Sequence, residues 1–418
     1  MNKKWLIVVL ILSGCLSGYA QQTYTLRELI QKAEAFYPSV KQKVLAGSLG
    51  KENEKLLEMG LYPQVNLTGQ ATYQSEVTKF AVPGFSGIPT QKKDNYAMGI
   101  DFRFPLTEFT VIESKKQLEQ TKTELSINQT ETELQKVRER VTNIFGNILL
   151  QQESKKIIAI RHTELVSQHK KVASAVENGV SLKSNQLILE SEMLSTDQRM
   201  IETDAAIKGL SKELSALTGM NIQPDGGFQL SLTETSSNNI NRAELLVFKS
   251  QLKILDLQKT ILQKEDNPKL FVFGQGYYGR PGYNFLNIDM RTYGILGAGI
   301  NWNINNLLTQ KTKEKTIEIN KQMVNTQQEN FNLNLQIALD QKQIEIDKYK
   351  SIISKDLEIV NTRKAILAAA SSQLANGVIT STDYLSELNA SNTAELNKVL
   401  HQVQLAIAKT QLQILSGN

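Results

Sequence analysis

Two different hydrophobic periods divide the chain. From about Thr107 to Val176, apolar residues recur at spacings of seven (Val111, Leu118, Leu125) and then of three and four (Leu134, Val137, Val141, Ile144, Ile148). This spacing predicts a coiled-coil seam on one long helix. A second such stretch runs from about Leu307 to Leu374, with Ile317, Leu333, Leu335, Ile337, Ile344, Ile352, Ile359 and Ile366 among polar neighbours. The eight prolines, at positions 38, 63, 83, 89, 105, 224, 268 and 281, leave only the windows 105–224 and 281–418 free for uninterrupted helices. At ~1.5 Å per residue each long helix would extend on the order of 100 Å, more than a compact globular domain accommodates.

Elsewhere the period is two. Val65, Leu67, Gly69, Ala71 and Tyr73 alternate with Gln64, Asn66, Thr68, Gln70, Thr72 and Gln74. Tyr96, Met98, Ile100, Phe102 and Phe104 alternate with Ala97, Gly99, Asp101 and Arg103. These are strands with one apolar and one polar face. Leu296, Ala298, Ile300, Trp302 and Ile304 continue the scheme opposite Asn301 and Asn303, whereas Lys269 to Tyr278 carries large apolar residues on both faces. The predicted strands cover about 63–75, 95–104, 268–279 and 292–304. At about ten residues each they have the length of tilted transmembrane strands, with aromatic residues near their ends. Read this way, Tyr96, Ile100, Phe102, Ile300 and Trp302 face lipid. A soluble sheet packed on a core is the competing reading, but nothing else in the chain offers a compact core to receive it.

The chain is a duplication. Tyr62-Pro63-Gln64-Val65 aligns with Asn267-Pro268-Lys269-Leu270 at a shift of 205, Gly99-Ile100-Asp101-Phe102 with Gly299-Ile300-Asn301-Trp302 at 200, and Asn178-Gly179-Val180 with Asn376-Gly377-Val378 at 198. The last register pairs Leu217 with Leu415 and Gly219 with Gly417. Each copy of roughly 200 residues reads as helix, strand, strand, long helix, helix. The first copy spans 21–219 and the second 243–418. A linker rich in Asn, Ser, Thr and Gly fills 220–242. Four strands cannot close a barrel, and an open edge is forbidden in lipid, so several chains must contribute to one barrel.

Residues 1–20 form an export signal: Lys3 and Lys4 precede the apolar run Trp5 to Leu12 and a small-residue exit. Gly18-Tyr19-Ala20 suits cleavage before Gln21, whereas Leu12-Ser13-Gly14-Cys15 resembles a bacterial lipobox in which Cys15 would be lipidated; both readings stand. Cys15 is the single cysteine, so disulfides, zinc sites built on cysteine and thiol catalysis are excluded from the mature body. A net charge of +5, two units of it from the signal, is too small and too interspersed to argue for nucleic acid.

The opening Tyr24-Thr25-Leu26-Arg27-Glu28-Leu29-Ile30, the Tyr37-Pro38-Ser39-Val40 step, the Pro-led strands at Pro63 and Pro268, the exit Phe102-Arg103-Phe104-Pro105-Leu106 and the paired Asn-Gly-Val turns recur in this order. Together they resemble the TolC family of outer membrane efflux proteins over essentially the whole mature chain. The resemblance implies an α+β membrane protein, a homotrimer sharing a twelve-stranded β-barrel in the outer membrane, four strands per chain, continued by a periplasmic α-helical coiled-coil barrel. It implies an equatorial region built from Thr23 to Tyr37, Met220 to Arg242 and the C-terminus. It further implies a passive exit duct for efflux or type I secretion, with a periplasmic adaptor and an inner-membrane pump as partners.

The hairpin ends are then the adaptor-contact candidates: Gly179, Val180, Ser181, Leu182, Gly377, Val378, Ile379 and Thr380. Each turn has a Gly suited to a left-handed conformation and a following Ser181 or Thr380 able to cap, which is also all that a helical hairpin requires. Asp383, six residues after Gly377, stands where some members of that family place an acid lining the closed pore. It is the pore-gate candidate, and it can equally serve as a helix cap. A second acid expected three residues on is Ser386 here, and the first copy has Asn185 at the position of Asp383.

Candidate chemistry is sparse, and no catalytic, cofactor or metal site is expected. Gly274-x-Gly276-x-x-Gly279 fits a dinucleotide fingerprint, yet Arg280-Pro281-Gly282 follows where a helix would have to open. His162 and His169 lie seven apart without acidic or cysteine company in the sequence, as solvated surface residues do. The rival class is an exported periplasmic coiled-coil adaptor or scaffold without a barrel, which accounts for the helices and signal but not for four alternating strands in duplicate.

Overall fold

The computed structural model describes residues 23–79, 89–229, 240–284 and 286–417. The export signal, Cys15 and residues 230–239 of the inter-repeat linker lie outside the described residues. In chain order the elements are β1 (Thr23–Thr25), α1 (Leu26–Phe36), α2 (Ser39–Met59), β2 (Gln64–Tyr73), β3 (Asp94–Pro105), α3 (Phe109–Glu177), α4 (Lys183–Thr218), β4 (Gly227–Gln229), α5 (Ala243–Glu265), β5 (Lys269–Arg280), β6 (Arg291–Asn301), α6 (Asn305–Ala375) and α7 (Ser381–Ser416). The duplicated order is plain, with two departures. The first copy opens on two helices, because Tyr37 is held extended ahead of Pro38, a residue that disfavours helix before it. The second copy has no proline there and α5 runs unbroken. The short strands β1 and β4 carry no periodicity long enough to read in sequence.

The chain divides into two compact units. The first comprises Met1–Lys41, Thr130–Ala243 and Asn330–Asn418. Here β1 pairs in parallel with β4, Tyr24 opposite Phe228. Both rings sink into a core with Leu29, Val141, Phe145, Ile148 and Leu214. The Tyr24 hydroxyl accepts from Gln223 N–H at 3.1 Å, which satisfies the linker backbone as it enters that core. The second copy's end is tied in as well. Gln135, buried on α3, donates to the Ile414 carbonyl at 2.6 Å, and Asn241 N–H donates to the Ser416 carbonyl at 2.7 Å. The helix ends Gly219 and Gly417 both take left-handed φ, +69° and +84°, at the 198-residue spacing of the repeat.

The second unit comprises Gln42–Gln129 and Glu244–Glu329. Its sheet has the order β2-β3-β5-β6, antiparallel throughout. The N-terminal part of α3 is cross-linked to α2 and α5 by Lys116–Glu58 and Lys115–Glu265, each at 2.6 Å, and by Lys264 donating to Ser114 Oγ at 2.8 Å. In register, Val65, Phe102, Gly274 and Leu296 cross one face, and Leu67, Ile100, Gly276 and Gly294 cross beside them. The other face carries Gln64, Asn66, Asp101, Arg103, Gln275 and Tyr277. It also holds Phe271 and Phe273, which made β5 the irregular strand in sequence. They lie opposite Gly299 and Gly297, whose missing side chains leave room: a Cβ there would come within 2.6 Å and 2.8 Å of the rings.

Left-handed backbone is needed at Gly179 and at Gly219, but only Gly219 is also crowded, since a Cβ would meet the Phe36 ring at 2.5 Å while nothing lies within 4 Å at Gly179. Gly179→Ala should therefore cost about 1 kcal/mol from backbone strain alone, and Gly219→Ala clearly more, because Phe36 must also move. Denaturant midpoints of the two variants, compared at equal slope, check the ordering.

Candidate functional site

The hairpin ends are built alike and capped differently. In the first, Gly179 has φ +73°, Val180 N–H reaches back to the Ala175 carbonyl at 2.8 Å, and Asn178 Nδ2 donates to the Ser174 carbonyl at 2.8 Å. In the second, Gly377 has φ +71°, Val378 N–H donates to the Gln373 carbonyl at 2.9 Å and Asn376 Nδ2 to the Ser372 carbonyl at 2.8 Å. Both are six-to-one closures around a left-handed glycine. Both then present apolar side chains outward: Val180, Leu182 and Val378 are 79%, 71% and 70% exposed. Ile379 instead turns inward against Tyr384 and its neighbours, and Thr380 caps α7.

Ser181 does not cap its helix, contrary to the sequence expectation. The 198-residue register sets Leu182, not Ser181, opposite Thr380, and Leu182 occupies the cap with no side-chain bond to give. Ser181 Oγ instead accepts from Asn185 Nδ2 at 3.3 Å. At the second end a full capping box forms. Asp383 N–H donates to Thr380 Oγ1 at 3.2 Å, and the Asp383 carboxylate accepts from the Thr380 hydroxyl at 2.7 Å and backbone N–H at 3.0 Å. These donors hold its carboxyl below the usual carboxylate range, the Thr380 hydroxyl contributing most. Asp383 thus stays charged and carries the cap.

Beside it lies a polar layer that sequence reading missed. Tyr384 is fully buried, and its hydroxyl donates to the Glu164 carboxylate at 2.8 Å. Gln168 donates to Glu164 at 2.9 Å and to Ser371 Oγ at 2.8 Å. A turn or two away, the buried Arg161 guanidinium holds Glu192 and Asn389. Burial, and then Glu164, push the Tyr384 phenol well above its ordinary value. These bonds join α3 and α4 to α6 and α7. The only sequence signal was a Tyr and an Arg standing in otherwise aliphatic heptad seams.

In the sheet, four of the five residues read as lipid-facing share one face: Tyr96, Ile100 and Phe102 on β3 and Ile300 on β6. Ile100 and Ile300 are exposed. Trp302 falls just past the end of β6, earlier than expected, and its indole N–H donates to the Asp266 carbonyl at 2.9 Å, fixing the turn into α6. On the opposite face Asp101 accepts from Thr68 at 2.6 Å, Tyr277 at 2.7 Å and Gln275 at 2.9 Å. Tyr277 stacks on Tyr293 with centroids 5.8 Å apart.

The glycine triplet Gly274, Gly276, Gly279 lies wholly inside β5, paired on both sides, which removes the dinucleotide reading. His162 does have acidic company from across its hairpin, with Nε2 3.3 Å from Asp197, while His169 faces Gln186 at 3.5 Å. Among the described residues no cluster of His, Cys, Asp and Glu is arranged to hold a metal, and no helix is long and apolar enough to cross a membrane.

No protein-family model and no curated protein sequence matches the chain. Solved structures do. The outer-membrane channel OprN superposes with a TM-score of 0.73 at 12% identity, over 94% of this chain and 89% of that one. The outer membrane protein VceC of Vibrio cholerae gives 0.71 at 13%, over 94% and 96%. The open state of the MtrE outer membrane channel of Neisseria gonorrhoeae gives 0.69 at 13%, over 94% and 89%. The chain has the α+β fold of these outer-membrane channels, the fold that the duplicated strand and helix pattern implied.

Tyr384→Phe leaves Glu164 short of a buried donor and should destabilise the first unit by about 1–3 kcal/mol, read as a lowered denaturant midpoint. Asp383 supplies a pH test. Its folded pKa lies below the unfolded value, so the stabilisation is complete above the unfolded pKa and is lost as pH falls through the folded one. Amide exchange at the start of α7 should accelerate in that acidic window in the native protein and not in Asp383→Asn.

Proposed function

We propose that the protein is the outer-membrane exit duct of a tripartite efflux or type I secretion system, conducting passively what an inner-membrane pump and a periplasmic adaptor deliver. The observation that carries this is the four-stranded sheet. Its strands are of membrane-crossing length, one face is apolar and exposed, and among the described residues the outer edges of β2 and β6 are unpaired. Unpaired edges cannot stay open in lipid, so the sheet must close with copies of itself. Three chains give twelve strands, the number that the resemblance implies and one within the range of closed outer-membrane barrels. The likeness of fold to OprN, VceC and MtrE supports the same reading.

In that assembly Tyr96, Ile100, Phe102, Ile300 and Trp302 meet lipid and the Asp101 face lines the duct. The hairpin ends are the adaptor contacts, with Val180, Leu182 and Val378 as exposed apolar anchors and Gly179, Ser181, Gly377, Ile379 and Thr380 setting the turns. Asp383 is the gate residue. Its cap bonds use neutral donors and leave its charge in place, so three copies around an axis would form a ring that focuses cations. Cys15 remains a candidate anchor should cleavage precede it.

Native mass after mild detergent extraction from outer-membrane fractions tests the reading, with three times the chain mass expected. Ile100→Lys and Ile300→Lys should each cost ~2–4 kcal/mol near the bilayer midplane and abolish assembly. A soluble monomer or dimer, or variants that insert normally, would return the protein to the scaffold class.

A further inference from the structure

We propose that the polar face of the sheet carries a site for organic anions that bear a flat ring, centred on Arg103. The inference rests on the duct reading for its biological meaning, but its geometry lies within one sheet of one chain. Arg103 on β3 stands opposite Gln64 on β2 and Phe273 on β5. Its guanidinium carbon sits 3.8 Å from the centre of the Phe271 ring. Phe273 lies 6.1 Å from Phe271, a second ring next to the one that carries the cation.

Three features separate this group from an ordinary surface arginine. First, it is exposed, and among the described residues no carboxylate pairs with it. Its nearest acid along the strand, Asp101, is taken up by Thr68, Tyr277 and Gln275. Second, a guanidinium seated on a ring face keeps its N–H fork free at the rim, the geometry that binds a carboxylate through two parallel bonds. Third, the fold does not require it. The repeat puts Asn66 and Thr68 where Phe271 and Phe273 stand, and Asn303 where Arg103 stands. The first copy builds β2 without the two rings, and the second copy builds β6 without the cation. Filling the space above Gly297 and Gly299 accounts for the rings but not for a cation held unpaired upon one of them.

The complementary ligand has a carboxylate to meet the fork and a planar apolar body to lie against Phe273, with the Gln64 amide available at its edge. In a closed trimer the site occurs three times around the duct, which makes it a selective ring for such anions rather than a single pocket.

The test uses the full-length protein in detergent, with 1-naphthoate as probe and acetate and 1-naphthalenemethanol as controls that lack the ring or the charge. Calorimetric titration should show naphthoate binding more tightly than either control. Arg103→Gln should weaken it about tenfold, the worth of a charge-assisted pair. Phe273→Leu should weaken it by about threefold, and Arg103→Lys should restore only part of the affinity. Native mass of each variant must match the wild type, so that lost binding is not lost assembly. Equal binding by wild type and Arg103→Gln, or no preference over acetate, overturns the site. Single-channel current in a planar bilayer, read in parallel, separates the two levels: an Arg103-dependent site in a protein that does not conduct sinks the duct and keeps the site, whereas conduction without Arg103-dependent binding or block does the reverse.

Discussion

A strand edge is a row of backbone donors and acceptors, and a sheet that ends in two bare edges is an unfinished object. Among the described residues the sheet β2-β3-β5-β6 ends that way, with an exposed apolar face beside its edges. Water could satisfy the backbone but not the face, and lipid could satisfy the face but not the backbone. Closure with further copies of the same sheet satisfies both at once. The oligomeric nature of the proposed duct follows from this constraint rather than from any contact designed between helices.

Duplication supplies the framework, and divergence between the copies supplies the particular chemistry. The left-handed glycines 179 and 377, and 219 and 417, keep the 198-residue register to the last helix end. Around them the copies differ. Pro38 splits the first opening helix where α5 is continuous. Thr380 and Asp383 build a capping box where Leu182 and Asn185 cannot. Phe271, Phe273 and Arg103 replace residues that are polar and neutral in the other copy. Side chains that have lost the symmetry of the fold are the ones least explained by the needs of folding.

The helical packing in the first unit depends on a few buried polar bonds as much as on its aliphatic seam. Glu164 collects Tyr384 and Gln168, and Arg161 joins Glu192 to Asn389. Leaving any of these groups unpaired costs more than the bond itself contributes, so the layer selects one arrangement of the four helices over others that an all-leucine seam would tolerate.

The periods of the sequence determined a great deal by themselves. Period two in Val65 to Tyr73 and Tyr96 to Phe104 marked the strands and their apolar face. The seams at Val111 to Ile148 and Ile317 to Ile366 marked the long helices, the prolines bounded them, and the self-alignment gave the order of elements twice. These features are local, because a strand's faces and a helix's stripe are set by the geometry of consecutive residues. Tertiary structure decided what depends on distant partners. Tyr24 finding Gln223, Tyr384 finding Glu164, Asp101 gathering three donors, and Phe271 lying on Gly299 beneath Arg103 all join residues whose separation in sequence carries no sign of the contact. A side chain's identity states what it could bind, and only the folded chain brings the other half of the bond to it.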